Sequence, residues 1–240
     1  MLASVIDKIL ISPQILELIV EFPEPVDAKP GQYGMFDLGP EFTLARAFSI
    51  GSKLSDRRYG FFIRQKGRGT EKLFRESLDS IEVFFPLGNG FELVSGLKIQ
   101  LIAGGSGIFP LVYLASLLKK SNQVTLLFGA KTDQEIVLLD RFGVKTIICT
   151  EEGLKYQKGL ITDYCESGFD RWYVCGPKGM CAALFKKLPK DKTFYSMEEK
   201  FACGYGVCLG CSIRTAGGMR RVCKDGPVFS GKELCDDSFR

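Results

Sequence analysis

Four of the nine cysteines crowd into 21 residues, spaced Cys203-x4-Cys208-x2-Cys211-x11-Cys223. That is the spacing of a [2Fe–2S] loop, in which a short coil wraps one edge of an Fe2S2 rhomb and sets thiolates on both irons. Gly204, Gly206 and Gly210 allow the tight positive-φ turns such wrapping needs. They also leave backbone N–H groups free to face sulfur and tune its potential. A structural zinc is the competing reading, but four-cysteine zinc sites usually come as two Cys-x2-Cys knuckles. A bare Cys-x2-Cys dithiol is the third. Cys235 lies outside the loop and is expected to be a bystander. Histidine is absent, which excludes Ser-His-Asp and Cys-His catalytic units and any Rieske-type cluster. No side chain is nominated as catalytic. The chemistry has to come from cysteine, lysine, carboxylates or a bound cofactor.

Four further groups of residues have phosphate or ring chemistry within reach. In Arg46-Ala47-Phe48-Ser49 the guanidinium can pair with a pyrophosphate while alternate side chains of an extended segment face a flat ring. Gly67-Arg68-Gly69-Thr70 precedes a helix expected over Glu71–Glu76, where bare N–H groups and a hydroxyl suit phosphate. An ordinary turn and N-cap would look the same. Gly104-Gly105-Ser106-Gly107 follows a strand and opens a helix, the place where a dinucleotide pyrophosphate meets a helix N-terminus. Cys175-Gly176-Pro177 ends a later strand facing the same crevice, and Cys175 could equally be a packed, inert thiol.

The elements that position these groups fall into three parts. Residues 1–95 alternate short β runs (Ile15–Phe22, Tyr59–Gln65) with turns at Pro30-Gly31 and Gly88-Asn89-Gly90, the pattern of a small antiparallel barrel. Over residues 96–195 strand and helix alternate: Lys98–Ala103, Leu111–Leu118, Val124–Phe128, a helix over Asp133–Phe142, Thr146–Cys149, Trp172–Cys175 and a helix over Gly179–Lys187. That order predicts a doubly wound parallel sheet. Residues 196–240 are Cys- and Gly-rich and too short for a core of their own, so a metal, the other domains or a partner must hold them. The class is α+β multidomain.

The net charge of +4 is too mild for a nucleic-acid binder. Apolar runs fall short of the roughly 18–20 residues of a membrane span. With no charged leader before an apolar stretch, the expected location is cytoplasmic.

Arg-x-aromatic-Ser, Gly-x-Gly-Thr, Gly-Gly-x-Gly-x-x-Pro-Leu and Cys-Gly-Pro-x-x-Met, in this order, resemble the ferredoxin–NADP reductase superfamily. Together with Glu199–Cys211 and Val222–Phe229, the whole chain resembles the electron-transfer subunits of heterodimer-type (class 1B) dihydroorotate dehydrogenases. The resemblance implies an FAD barrel, a nicotinamide domain and a [2Fe–2S] arm. Arg46 would contact the FAD pyrophosphate, Phe48 and Ser49 would lie near the isoalloxazine, and Gly69 and Thr70 would hold the diphosphate. Gly104, Gly105, Gly107, Cys175 and Gly176 would border NAD(H), and Cys203, Cys208, Cys211 and Cys223 would hold the cluster.

It further implies an FMN-containing catalytic partner, a heterotetramer of two of each chain, and a relay of electrons between NAD(H) and that partner in pyrimidine biosynthesis. Ala47 replaces the family's usual proline. Ser106 and Phe109 also depart from its pattern; a phenylalanine at the helix mouth could obstruct a dinucleotide, but NAD(H) is still expected to bind. Hydrogenase- or transhydrogenase-type complexes are alternative homes for such a reductase subunit. A zinc-stapled, non-enzymatic module is the reading from a different class.

Overall fold

A computed structural model describes residues 1–240. Six strands, β1 (Leu2–Ser12), β2 (Ile15–Glu21), β3 (Tyr33–Asp37), β4 (Arg46–Lys53), β5 (Arg58–Arg64) and β6 (Ser80–Leu87), close into an antiparallel barrel in the order β1-β2-β5-β4-β3-β6. Alternation turns Leu16, Leu18 and Val20 of β2 inward to meet Phe36, Phe61 and Ile63. Phe22 stacks on Phe85 at 4.8 Å, and Phe61 meets Phe85 edge-on at 5.4 Å. Each such ring contributes roughly 1.5–3 kcal/mol by burial. A helix, α1 (Arg68–Arg75), caps the barrel through the buried Leu73. It begins three residues before the expected Glu71, so Gly69 and Thr70 lie in its first turn.

The second layer is a seven-stranded sheet ordered β10-β9-β8-β7-β11-β12-β15. It is built from β7 (Lys98–Gly104), β8 (Gln123–Ala130), β9 (Lys145–Thr150), β10 (Gln157–Lys158), β11 (Arg171–Cys175), β12 (Thr193–Ser196) and β15 (Val228–Ser230). All pairs are parallel except β12–β15. On β7, Ile99, Leu101 and Ala103 face helix α2 (Phe109–Leu118), while Ile102 faces helix α4 (Lys178–Lys187) through Cys181, Leu184 and Phe185. Two-sided burial explains why these strands read as continuous apolar runs. No helix is long and apolar enough to cross a membrane.

The helix expected over Asp133–Phe142 is not formed. A 3-10 turn spans Asp133–Glu135, Ile136 is extended, Leu138 is left-handed at φ 63°, and only one helical turn, α3 (Leu139–Phe142), follows. Tertiary contacts override the periodicity. Glu135 turns to Arg64 at 3.1 Å and Arg141 to the buried Glu17 at 3.0 Å, both on the barrel, while Leu138 and Phe142 bury against the sheet.

The arm uses both domains as its support. The hairpin β13 (Ser212–Thr215) and β14 (Gly218–Arg221) leads into one turn of helix, α5 (Val222–Asp225), and then β15 joins the sheet edge. Asn89, in the barrel turn, accepts the N–H of Val228 at 2.9 Å and donates to its carbonyl at 2.7 Å. Its amide thus serves as a strand-like partner for the arm.

Candidate functional site: two clefts and a cysteine loop

Arg46 and the first turn of α1 meet across the barrel rim. A Cβ at Gly69 would lie 3.3 Å from Arg46 Nε and 2.9 Å from Leu38, so the glycine lets guanidinium and helix start approach each other. The guanidinium also sits 5.6 Å over the Phe42 ring and donates to the Leu44 carbonyl. Thr70 Oγ1 is committed locally: it accepts the Lys66 and Gly67 N–H groups at 2.8 and 3.1 Å and donates to the Gly67 carbonyl. What this corner offers an anion is the cationic Arg46 and the α1 N-terminus.

Beside it opens a cleft of about 250 Å³, walled by Ala47, Phe48, Ser49, Phe62 and Tyr33 of the barrel and by Phe109, Cys175, Met197 and Phe201 opposite. A flat apolar wall with a few polar groups suits an aromatic ring system. Phe48 is half-buried and leans on Phe36 at 5.3 Å, which leaves Ala47 the more open residue of the pair. Phe109 does not stand at the mouth of the sheet crevice. It is 6% exposed and packs against Phe62, with centroids 5.7 Å apart, so its ring lies at the join of the two domains.

A second cavity, about 460 Å³, lies at the C-terminal ends of the parallel strands, lined by Gly104, Gly105, Ser106, Ala130, Lys131, Glu151, Thr162 and Met180 among others. Ligands of open α/β sheets bind in this crevice. The glycines here divide the labour. Gly105 takes φ +52° with open space around it, a bare backbone facing the cavity. Gly107 and Gly176 instead let two turns touch, since a Cβ at Gly107 would fall 2.2 Å from the Cys175 carbonyl and one at Gly176 2.9 Å from Gly104 N. Gly104 does both, lining the cavity and sitting under Met180.

Cys175 is 1% exposed, and burial pushes its thiol well above the usual range. Its Sγ lies 3.9 Å from Glu198 Oε1. Glu198 lines both cavities, and the protein packed around it raises its carboxyl above the ordinary value. Neither Glu198 nor Arg64, which also lines both cavities and is braced by Glu135, stood out in the sequence. A charged residue ending the apolar strand run Phe61–Arg64 was the available signal.

The four clustered cysteines come together as two pairs. Cys203 Sγ accepts the N–H of Tyr205 at 3.4 Å and of Cys208 at 3.5 Å; Cys211 Sγ accepts the N–H of Cys223 at 3.4 Å. The first pair lies at the surface and the second is buried. N–H dipoles aimed at Cys203 bring its thiol down to about 6, whereas burial, with Cys211 beside it, pushes Cys223 up to about 12. No three of the thiols converge on one point, as a single tetrahedral ion would require. Two thiol pairs, N–H groups turned toward sulfur, and positive φ at Gly204, Gly206 and Leu209 fit a two-iron cluster. Cys235 stands apart, its Sγ near the Arg214 carbonyl.

Residues 198–235 match a family model described as the iron–sulfur cluster binding domain of dihydroorotate dehydrogenase B. The chain is 38% identical over 218 residues to the electron transfer subunit of dihydroorotate dehydrogenase B (NAD(+)) from Clostridium acetobutylicum, covering 87% of each. It is 35% identical to the corresponding subunit of Caldanaerobacter subterraneus, covering 98% of each. Among solved structures, a chain of an NADH-dependent reduced ferredoxin–NADP oxidoreductase superposes with TM-score 0.85 at 25% identity, covering 100% of this chain and 91% of that one. The ferredoxin reductase of carbazole 1,9a-dioxygenase shares the fold at TM-score 0.71 and 20% identity, over 81% of this chain and 68% of that one. With a reductase barrel, a dinucleotide-type sheet and a two-iron loop in one chain, and relatives this similar along its length, the protein belongs to the electron-transfer subunits of dihydroorotate dehydrogenase B.

Proposed function

We propose that this chain relays electrons between NAD(H) at the sheet crevice and an FMN-containing catalytic subunit that interconverts dihydroorotate and orotate, by way of FAD in the barrel cleft and a [2Fe–2S] cluster on Cys203, Cys208, Cys211 and Cys223. A nicotinamide exchanges electrons as hydride, a [2Fe–2S] cluster exchanges them singly and a flavin does either, so the flavin belongs between the other two.

The observation that carries this reading is contiguity. The sheet cavity and the barrel cleft share Arg64, Ser106 and Glu198 as common wall, and the cleft shares Tyr33 with the cysteine loop. The chain's residues divide the tasks accordingly. Arg46 and the start of α1 bind diphosphate; Phe48 and Ser49 wall the ring; Gly105 and Ser106 receive the dinucleotide where β7 ends. Burial of Phe109 and Cys175 keeps water from the seam between the domains. Glu198, at the common wall, can hold a proton where a reduced ring would need one.

A catalytic partner subunit is implied by the relatives' names; its FMN and a heterotetramer of two of each chain follow from family analogy. The likeness to a ferredoxin–NADP oxidoreductase chain favours a second home, in a transhydrogenase-type complex. Co-purification of the tagged chain with untagged cellular partners, followed by NAD(+)-dependent conversion of dihydroorotate to orotate, separates the two. A partner that reduces NADP and leaves dihydroorotate untouched refutes the first.

A further inference from the structure

Tyr33 is 3% exposed, lies on β3 opposite Ser49 in register, and walls the barrel cleft with its ring. Its hydroxyl reaches the opposite way. It stands 3.1 Å from the carbonyl of Gly204 and 2.9 Å from that of Cys223, 171 and 190 residues distant in sequence. One phenolic proton is therefore shared between the two limbs of the cysteine loop: the residue after the first thiol and the backbone of the last. Two positions along the same face of β3, Met35 lies under Gly204, where a Cβ would fall 2.7 Å from its Cγ. Phe201, two residues before the first cysteine, closes the third side with its ring 4.9 Å from that of Tyr33.

We propose that Tyr33 is the positioning residue that couples the cysteine loop to the barrel cleft, its ring fixing their spacing and its hydroxyl setting the field of the loop carbonyls beside Cys203 and Cys223. The inference rests on the reading of the loop as a cluster site. The physical reason is local. Both carbonyls point their negative ends into a buried space close to ligand thiolates, and the phenolic O–H compensates them with the positive end of its dipole. An unmade hydrogen bond in such a place exposes the acceptor's full partial charge, in a medium that screens it poorly. Removing the O–H makes the surroundings of the thiolates more negative, so that accepting an electron there becomes harder.

Tyr33→Phe deletes the hydroxyl and keeps the ring. Tyr59→Phe is the matched control, because Tyr59 is also a buried barrel tyrosine whose hydroxyl donates to a backbone carbonyl, that of Val26, with no contact to the loop. The full chain, isolated anaerobically with its partner subunit, is assayed for flavin and iron and then titrated against redox mediators with the spin signal of the reduced cluster as readout. Tyr33→Phe is expected to lower the reduced-to-oxidised ratio at a fixed solution potential several-fold, with flavin content unchanged. Tyr59→Phe is expected to leave that ratio where it is. Loss of iron in Tyr33→Phe with flavin retained also supports the positioning role. A Tyr33→Phe protein with wild-type iron and an unshifted titration overturns the inference alone. A wild-type chain that carries no iron overturns the cluster reading, and this inference with it.

Discussion

Inside the barrel Phe22, Phe36, Phe61 and Phe85 interlock with almost no exposed surface, while on the cysteine loop Val207 and Leu209 stand 81% and 60% exposed and no regular structure spans 197–211. The two regions serve one relay by opposite means. Apolar burial shapes the barrel cleft and the sheet crevice without help from a ligand, because the strands that build them are core elements. The loop has few contacts of its own. Tyr33 grips it from the barrel, and Arg221 from the arm, donating to the Gly206 carbonyl at 3.2 Å while paired with Asp225. Met35 under Gly204 and the Phe84 ring 5.6 Å from that of Tyr205 add to this hold, and metal–thiolate bonds would complete it. The lesson is that a flavin-type site can be inherited from a fold, whereas a cluster site must be completed by its metal.

That contrast is broken most severely at the ligands. Cys211→Ser is expected to abolish iron and the spin signal of the reduced protein while flavin content stays at the wild-type level; Cys235→Ser should change neither. Iron retained in Cys211→Ser would show that Cys211 is not a required ligand.

On the preformed side, Phe109→Ala removes a ring packed between the domains and should cost about 3–5 kcal/mol in urea unfolding, with no gain in NADH affinity. Tighter NADH binding would restore the phenylalanine to the role of an obstruction. Arg46→Gln is a smaller change. Losing one charge-assisted contact of about 1.5–3 kcal/mol should weaken FAD binding roughly 10–100-fold, read by flavin fluorescence, and leave iron untouched. Gly105→Ala places a Cβ in open space but in left-handed backbone, so a penalty of about 1 kcal/mol is expected without loss of either cofactor.

How much of this could be read beforehand follows the same division. The barrel strands, the βα alternation and the cysteine spacing are local patterns, and local patterns were legible in the residues themselves. What escaped depends on distant partners. The segment Asp133–Phe142 carries a helical period, yet Glu135 and Arg141 are drawn to Arg64 and Glu17 on another domain, and no window of sequence contains that pull. The Gly88-Asn89-Gly90 turn is readable as a turn, but not as the dock for β15. Ser106-Gly107-Ile108-Phe109 reads as a crowded helix mouth until the Phe62 contact shows where the ring goes. Tyr33 gave no signal, since a tyrosine in a strand looks like core and its hydroxyl's partners come from the far end of the chain.

The most direct test of the relay is an anaerobic NADH titration of the purified full chain, followed by optical and spin-resonance spectra of the same samples. Contiguous sites predict that the flavin bleaches and that the reduced-cluster signal then rises, in proportion to NADH added, without any partner present. Bleaching of the flavin with iron bound and no cluster signal, even after prolonged incubation with excess NADH, would contradict a connected path from the sheet crevice to the cysteine loop.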